Sequence, residues 1–162
     1  MQSNGIIFIL SAPSGTGKTT ICKLLKQKLP DLKFSISHTT REPRDGEADG
    51  TDYYFISQKE FEEKITRGEF LEWAKVHKKC YGTTFESADR HRQNGEDVLI
   101  ELDVQGAQSL RDINYKAVFI FMMPPSLEEL KTRLNKRGTE SASKIQNRLE
   151  TSKKEMRQSL LY

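Results

Sequence analysis

Cysteine is scarce in this sequence. Only Cys22 and Cys80 occur in 162 residues, with no Cys-x-x-Cys pairing, which leaves no disulfide framework and too few ligands for a structural zinc site. The three histidines, His38, His77 and His91, are scattered without metal-ligand spacing and read as non-catalytic. No apolar run approaches the roughly 18 residues of a membrane span. Met1-Gln2-Ser3-Asn4 puts no basic residue ahead of the first apolar stretch, which argues against a signal peptide. Secretion and membrane insertion are thus disfavoured, and a reducing cytoplasm is the expected compartment. No internal repeat or low-complexity tract occurs, and a chain of this length suits one domain with a sizeable core.

The net charge is only +3, but it is unevenly spread. Residues 128–157 hold nine Lys or Arg against five Glu, a net +4 that leaves −1 for the rest. Such a segment suits either an anionic ligand or a solvated helix face, and spacing alone favours the second.

The order of elements is more telling. Gly5 to Ser11 is a continuous apolar run, as expected of a strand buried on both faces of a parallel sheet. Ala12 to Gly17 is a small-residue loop, and Lys18 opens a helix to about Leu29. Phe34–Ser37 reads as a short strand, and Thr39–Asp52 as a long irregular loop rich in charge, Gly and Pro. Tyr53–Ile56 is a further short strand. Ser57-Gln58-Lys59-Glu60 is a capping box for a helix that stops at Gly68. Phe70–Val76 alternates like a half-exposed strand, with Tyr81-Gly82-Thr83 as its partner. Val98–Asp103 is an apolar strand ending in carboxylates, followed by a helix near Gln105–Arg111. Ala117–Met122 reads as another buried strand. Ser126-Leu127-Glu128-Glu129 is a second capping box, for a helix to about Lys136, and a long polar helix starts near Ser141. Strands alternating with helices predict an α/β fold: a parallel sheet flanked by helices, with a small α+β insertion.

Ala12-Pro13-Ser14-Gly15-Thr16-Gly17-Lys18-Thr19 follows the phosphate-loop pattern G-x-x-x-x-G-K-[ST], with Ala12 in place of the first Gly. Gly15 and Gly17 let backbone N–H groups turn inward around phosphate oxygens. The helix N-terminus adds partial positive charge. Lys18 reaches β- and γ-phosphates, and the Thr19 hydroxyl can ligand Mg²⁺ or bond a phosphate. With strand before and helix after, this loop binds a nucleoside polyphosphate rather than forming an ordinary turn. Ala12 is expected in extended geometry, because Ala tolerates positive φ poorly.

A second phosphate site is suggested by Arg41-Glu42-Pro43-Arg44, with Tyr53 nine residues beyond Arg44. Arginine offers planar, multi-donor phosphate recognition that lysine cannot match. No Asn-Lys-x-Asp element for guanine recognition of the GTPase kind is present.

Four motifs together, Ser-x-Thr-Thr-Arg-x-Pro-Arg-x-Gly-Glu, Tyr-Gly-Thr, Asp-Val-Gln-Gly and Arg-Gly-Thr-Glu, make the chain resemble the guanylate kinase family from Ile6 to about Arg148. The resemblance implies transfer of the ATP γ-phosphoryl group to GMP, with Mg²⁺, on a phosphate-loop nucleoside monophosphate kinase fold. It implies a core of residues 1–34, 87–128 and 153–162, a GMP-binding insertion of residues 35–86 and a lid of residues 129–152. Arg41, Arg44, Tyr53 and Tyr81 would hold the GMP phosphate, while Ser37, Glu72 and Thr83 read the guanine. Ser14, Gly15, Thr16, Gly17, Lys18, Thr19, Arg133 and Arg137 would bind ATP. Glu101, Asp103 and Arg148 complete the GMP set, with Lys18, Arg44, Arg137 and Arg148 catalytic and Thr19 and Asp103 near the metal, partly through water.

Glu101 stands where most of the family has Asp, which predicts tuned GMP affinity. The family also has a further core strand and a C-terminal helix, and both are expected to be missing from this sequence, which stops at Leu160-Leu161-Tyr162. GMP and ATP are the expected partners, without nucleic acid or membrane, and a homo-oligomer is compatible with an apolar sheet edge. A non-catalytic phosphopeptide-binding relative of the family, or a kinase for another nucleoside monophosphate, are the rival readings. The intact Gly17-Lys18-Thr19 opposes the first, and Glu72 with Thr83 discriminates the second.

Overall fold

The computed structural model describes residues 4–76, 78–136 and 142–162. His77 and Arg137 lie outside them. Two four-stranded sheets carry the chain. The first consists of β1 (Ile7–Ser11), β2 (Lys33–Phe34), β7 (Val98–Leu102) and β8 (Val118–Phe121), all parallel in the order β2-β7-β1-β8. The second consists of β3 (His38–Thr39), β4 (Tyr54–Phe55), β5 (Phe70–Val76) and β6 (Lys79–Thr84), in the order β4-β3-β6-β5.

The continuous apolar run of β1 has the cause expected of it. Ile7 and Ile9 turn to one face with Val98 and Ile100, where α4 (Val104–Asp112) adds Ala107 and Leu110. Leu10 turns to the other face, where α1 (Lys18–Lys28) adds Cys22. Helices therefore cover both faces, as a parallel sheet requires. The first cluster also takes in Leu71 of β5 and Ala88 of α3 (Phe85–Arg92), so the second sheet is packed onto the first.

Under the second sheet, Phe61 of α2 (Gln58–Thr66) is fully buried and stacks on Phe70, with ring centroids 4.4 Å apart. The capping box that starts α2 is complete: Glu60 N–H donates to Ser57 Oγ, and Glu60 Oε2 accepts from Ser57 N–H. Ahead of α5 (Leu127–Lys136) only half a box forms. Glu129 N–H donates to Ser126 Oγ, but the Glu129 carboxylate is taken by Arg133. Finally α6 (Ala142–Arg157) packs on α5 through Leu130, Leu134, Ile145 and Leu149, and leads into a 3-10 turn, Gln158–Leu161.

Several sequence expectations need correction. The strand read at Phe34–Ser37 is two strands: β2 ends at Phe34, and residues 35–37 cross to β3 in the other sheet. Helix α3 had no signal, because Ala88 is the one buried residue in an otherwise polar segment. The strand β8 is not buried: Val118 and Ile120 are 46% and 41% exposed, since β8 is the sheet edge among the described residues. Trp73 is 46% exposed, whereas Cys80 is buried with Phe61 and Phe70.

Phe61→Ala is expected to cost about 3 kcal/mol of stability through the cavity it leaves. A urea titration checks this, and an unchanged midpoint would mean that Phe61 is not the keystone of the second sheet.

Candidate active site

Parallel pairing brings the carboxyl ends of β1 and β7 to one level, the place where open α/β sheets bind ligands. From β1 the chain runs into Ala12–Gly17. Gly15 and Gly17 have φ of +89° and +105°, which residues with a β-carbon rarely adopt, and Ala12 does not share that geometry. Thr16 ties the loop to itself by donating from Oγ1 to Pro13 O at 2.7 Å. Gly17 is the N-cap of α1 and supplies no capping side chain, and the first turn holds no acidic residue. That end is left fit for an anion. Lys18 Nζ donates to Leu102 O and lies 3.8 Å from Glu101 Oε1, so the loop lysine is held against the end of β7.

Below the loop a cavity of about 440 Å³ opens between the two sheets. Its walls include Lys18, Thr19, Glu101 and Asp103 from the first sheet's end and Ser37, Arg41, Arg44, Tyr53, Glu72 and Tyr81 from the second. Thr83 stands just behind, with its hydroxyl 3.0 Å from Ser37 Oγ. Nine of the ten residues expected to contact GMP are thus gathered here, and the tenth, Arg148, lies at the phosphate loop.

The clamp arginines differ in their ties. Arg41 makes a bidentate pair with Glu47, both bonds 2.9 Å, and lies over the rings of Tyr53 and Phe55 at 5.4 and 5.6 Å. This pairing holds the Glu47 carboxyl below the usual range and raises the Arg41 guanidinium. Glu47 also accepts from Arg44 N–H, so one carboxylate shapes the whole loop. Sequence reasoning passed over Glu47, although it closes the Arg-x-Gly-Glu part of the motif. Tyr53 meets Tyr81 edge-on at 6.1 Å, and burial raises its phenol.

Glu72 is a strongly perturbed carboxyl in the cavity. Burial pushes its carboxyl up to about 7, and Asp103 adds to the shift while Thr83 opposes it. Its Oε1 accepts from Thr83 N–H at 3.0 Å. A β-carbon on Gly106 would stand 2.7 Å from Glu72 Oε2, which explains glycine in Asp-Val-Gln-Gly. Asp103 does not end the strand but caps α4, with Oδ1 accepting from Gly106 N–H at 2.7 Å. On α1, burial and Glu101 push the Cys22 thiol up to about 12, an inert thiol among polar walls.

Two of the expected lid arginines reach the phosphate loop. Arg133 donates to Thr16 O at 2.7 Å and Arg148 to Ser14 Oγ at 2.6 Å. A metal site was expected at Thr19 and Asp103. Both are exposed into the same cavity, and no cluster of three His, Cys, Asp or Glu residues able to hold a metal occurs among the described residues. An all-oxygen pair that leaves most positions to water and phosphate fits magnesium, which dehydrates reluctantly.

A parallel sheet with a phosphate loop at its switch point, facing a cavity lined by arginines, defines a phosphate-loop nucleoside monophosphate kinase. Comparison with known proteins narrows this. Residues 5–162 match the guanylate kinase family profile. The chain is 46% identical over 162 residues to a guanylate kinase of Geobacter metallireducens, covering all of this chain and 80% of that one. It is 49% identical over 158 residues to a guanylate kinase of Neisseria meningitidis serogroup A, covering 98% and 77%. The crystal structure of guanylate kinase from Anaplasma phagocytophilum superimposes with a TM-score of 0.76 at 34% identity, covering 99% of this chain and 75% of that one. The chain belongs to the guanylate kinase family.

Glu72 should leave a mark on stability. Its folded pKa, about 7, lies above the ordinary value of 4.5, so the folded state keeps a proton that the unfolded state releases. That contribution is present below about pH 4.5 and is lost as pH rises through 7. Glu72→Gln removes the dependence. Denaturation of both proteins at pH 5 and pH 8 should show the variant gaining up to about 3 kcal/mol on the parent at the higher pH. Parallel pH profiles would overturn the assignment.

Proposed function

We propose that this chain transfers the γ-phosphoryl group of ATP to GMP, giving ADP and GDP, in the cytoplasm. The observation that carries the reading is the lining of one cavity. Arg41, Arg44, Tyr53 and Tyr81 offer cations and phenols to a phosphate, and buried Glu72 offers an acceptor to the two-donor N1–H and N2–H edge of guanine, which adenine lacks, with Thr83 and Ser37 beside it. A nucleoside monophosphate would engage both sets.

In this mechanism the phosphate loop and Lys18 hold the ATP phosphates. Arg44 and Arg41 aim the GMP phosphate in line, and Glu47 keeps the Arg41 guanidinium flat and pre-oriented. Arg133, Arg137 and Arg148 neutralise charge on the transferred group. No protein nucleophile or general base is required, because the attacking GMP oxygen is already anionic, so catalysis is positioning and electrostatics. Thr19 and Asp103 are the residues that would hold magnesium, which would supply charge neutralisation to the ATP phosphates. Residues 35–86 act as the GMP arm and residues 129–152 as the lid, and their approach to residues 1–34, 87–128 and 153–162 excludes water.

ADP release with Mg-ATP and each of GMP, AMP, CMP and UMP tests the reading. Turnover should require GMP and vanish in Lys18→Ala. Arg44→Ala should lower kcat at least about 100-fold, the scale seen when one preorganised donor is removed. Equal turnover with AMP, or full activity in Lys18→Ala, would refute it.

A further inference from the structure

A second cavity, of about 280 Å³, adjoins the first. Phe34 and Ile36 line both, so the segment that crosses from β2 to β3 is a wall common to the two. No step of phosphoryl transfer uses this second space. Part of its surface is aromatic: the rings of His38 and Tyr54 lie 4.8 Å apart, tilted by 33°. His38 is only 8% exposed, and its Nδ1 is buried with no hydrogen-bond partner among the described residues. Burial pushes the imidazole down to about 4, so at neutral pH the ring is uncharged and offers one donor and one acceptor.

Another wall is polar and comes from α3. Glu86, Ser87, Arg90 and His91 line the cavity, at spacings that put them along one side of the helix. His91 is engaged elsewhere, with Nδ1 2.8 Å from Glu96 Oε2, and the Ser87 hydroxyl is 3.0 Å from Thr84 Oγ1. The ion pair within α3 joins Asp89 to Arg92. Glu86 and Arg90, one turn apart and both exposed, thus bring a carboxylate and a guanidinium to the cavity with no ion pair between them among the described residues.

These walls define a ligand. Aromatic surfaces suit a flat ring. An anion and a cation side by side suit an edge that both donates and accepts, since a carboxylate would be opposed by Glu86 and an amidinium by Arg90. We propose that this cavity is a second ligand site, for an uncharged planar aromatic molecule whose edge carries both a donor and an acceptor, and that its occupant alters GMP binding through Phe34 and Ile36. The coupling, unlike the site itself, rests on the phosphoryl-transfer reading above: residues 35–37 carry Ser37 to the guanine side, so a ligand against their other neighbours bears on that side too.

Benzamide, benzoate and benzamidine have nearly one shape and differ in charge. Each is titrated into isotope-labelled protein and followed by amide NMR shifts. Benzamide should move the signals of Ile36, Ser87 and Arg90 saturably, with Kd on the order of 1 mM and at least about tenfold below that of either charged probe. Arg90→Ala should weaken benzamide about tenfold, the scale of one hydrogen bond. Ser87→Phe, which fills the space, should abolish binding, with kcat for GMP within about twofold of the parent in both variants. Thermal melts verify folding, and if Ser87→Phe does not fold, Arg90→Ala decides. By calorimetry, saturating benzamide should change GMP affinity at least about fivefold. No saturable shift, shifts confined to other residues, a charged probe binding as tightly as benzamide, or Arg90→Ala binding like the parent would overturn the site. Unchanged GMP affinity would overturn the coupling. A parent protein inactive with GMP would refute the activity instead, and the titrations would still judge the site.

Discussion

Everything in this molecule hangs on the parallel pairing of β1 with β7. The register Ile7↔Val98 to Ser11↔Leu102 makes both strands end together. The phosphate loop then leaves β1 where Leu102 offers its carbonyl to Lys18 and where Asp103 begins α4. A one-residue slip of β1 would turn Ile9 from the α4 face toward α1 and shift the phosphate loop against the carboxylates. The apolar strands thus do more than fill a core: their alignment sets the distance between a cation and the carboxylates around it.

A second constraint joins the two sheets. Glu72 comes from β5 in the second sheet, yet its carboxylate lies against Gly106 on the helix that follows β7 in the first. Removing one β-carbon there makes room for a buried carboxyl, and burial then raises its pKa. Asp103, one turn before Gly106, is both the cap of α4 and a like charge that pushes Glu72 further. Helix start, sheet contact and a buried Glu72 carboxyl are consequences of the same four residues, Asp-Val-Gln-Gly.

How much of this was legible in the sequence depended on whether the signal was local. The phosphate loop, the Ser57 capping box and β5 were readable, because spacing of a few residues carries each of them. The candidate GMP set was legible through the family resemblance, since Glu72 alone looks like an outward strand residue and only the fold buries it. Unreadable features depend on distant partners. Nothing near Ser35-Ile36-Ser37 says that the chain changes sheets there. Nothing near Phe85–Arg92 distinguishes a polar helix from a loop.

Three cations of the site share a further property. Arg41 is paired with Glu47, Arg133 with Glu129 and Thr16 O, and Lys18 with Leu102 O and Glu101. Without a partner, long basic side chains facing one cavity would repel one another and lose orientation to solvent. Partners hold them in place, and the part-exposed Arg133–Glu129 pair is weak. A phosphate, with more charge and more acceptor oxygens than a carboxylate, competes well for such donors. The same pairs therefore preorganise the cavity and remain exchangeable, and a site that must both bind and release polyanions needs both properties.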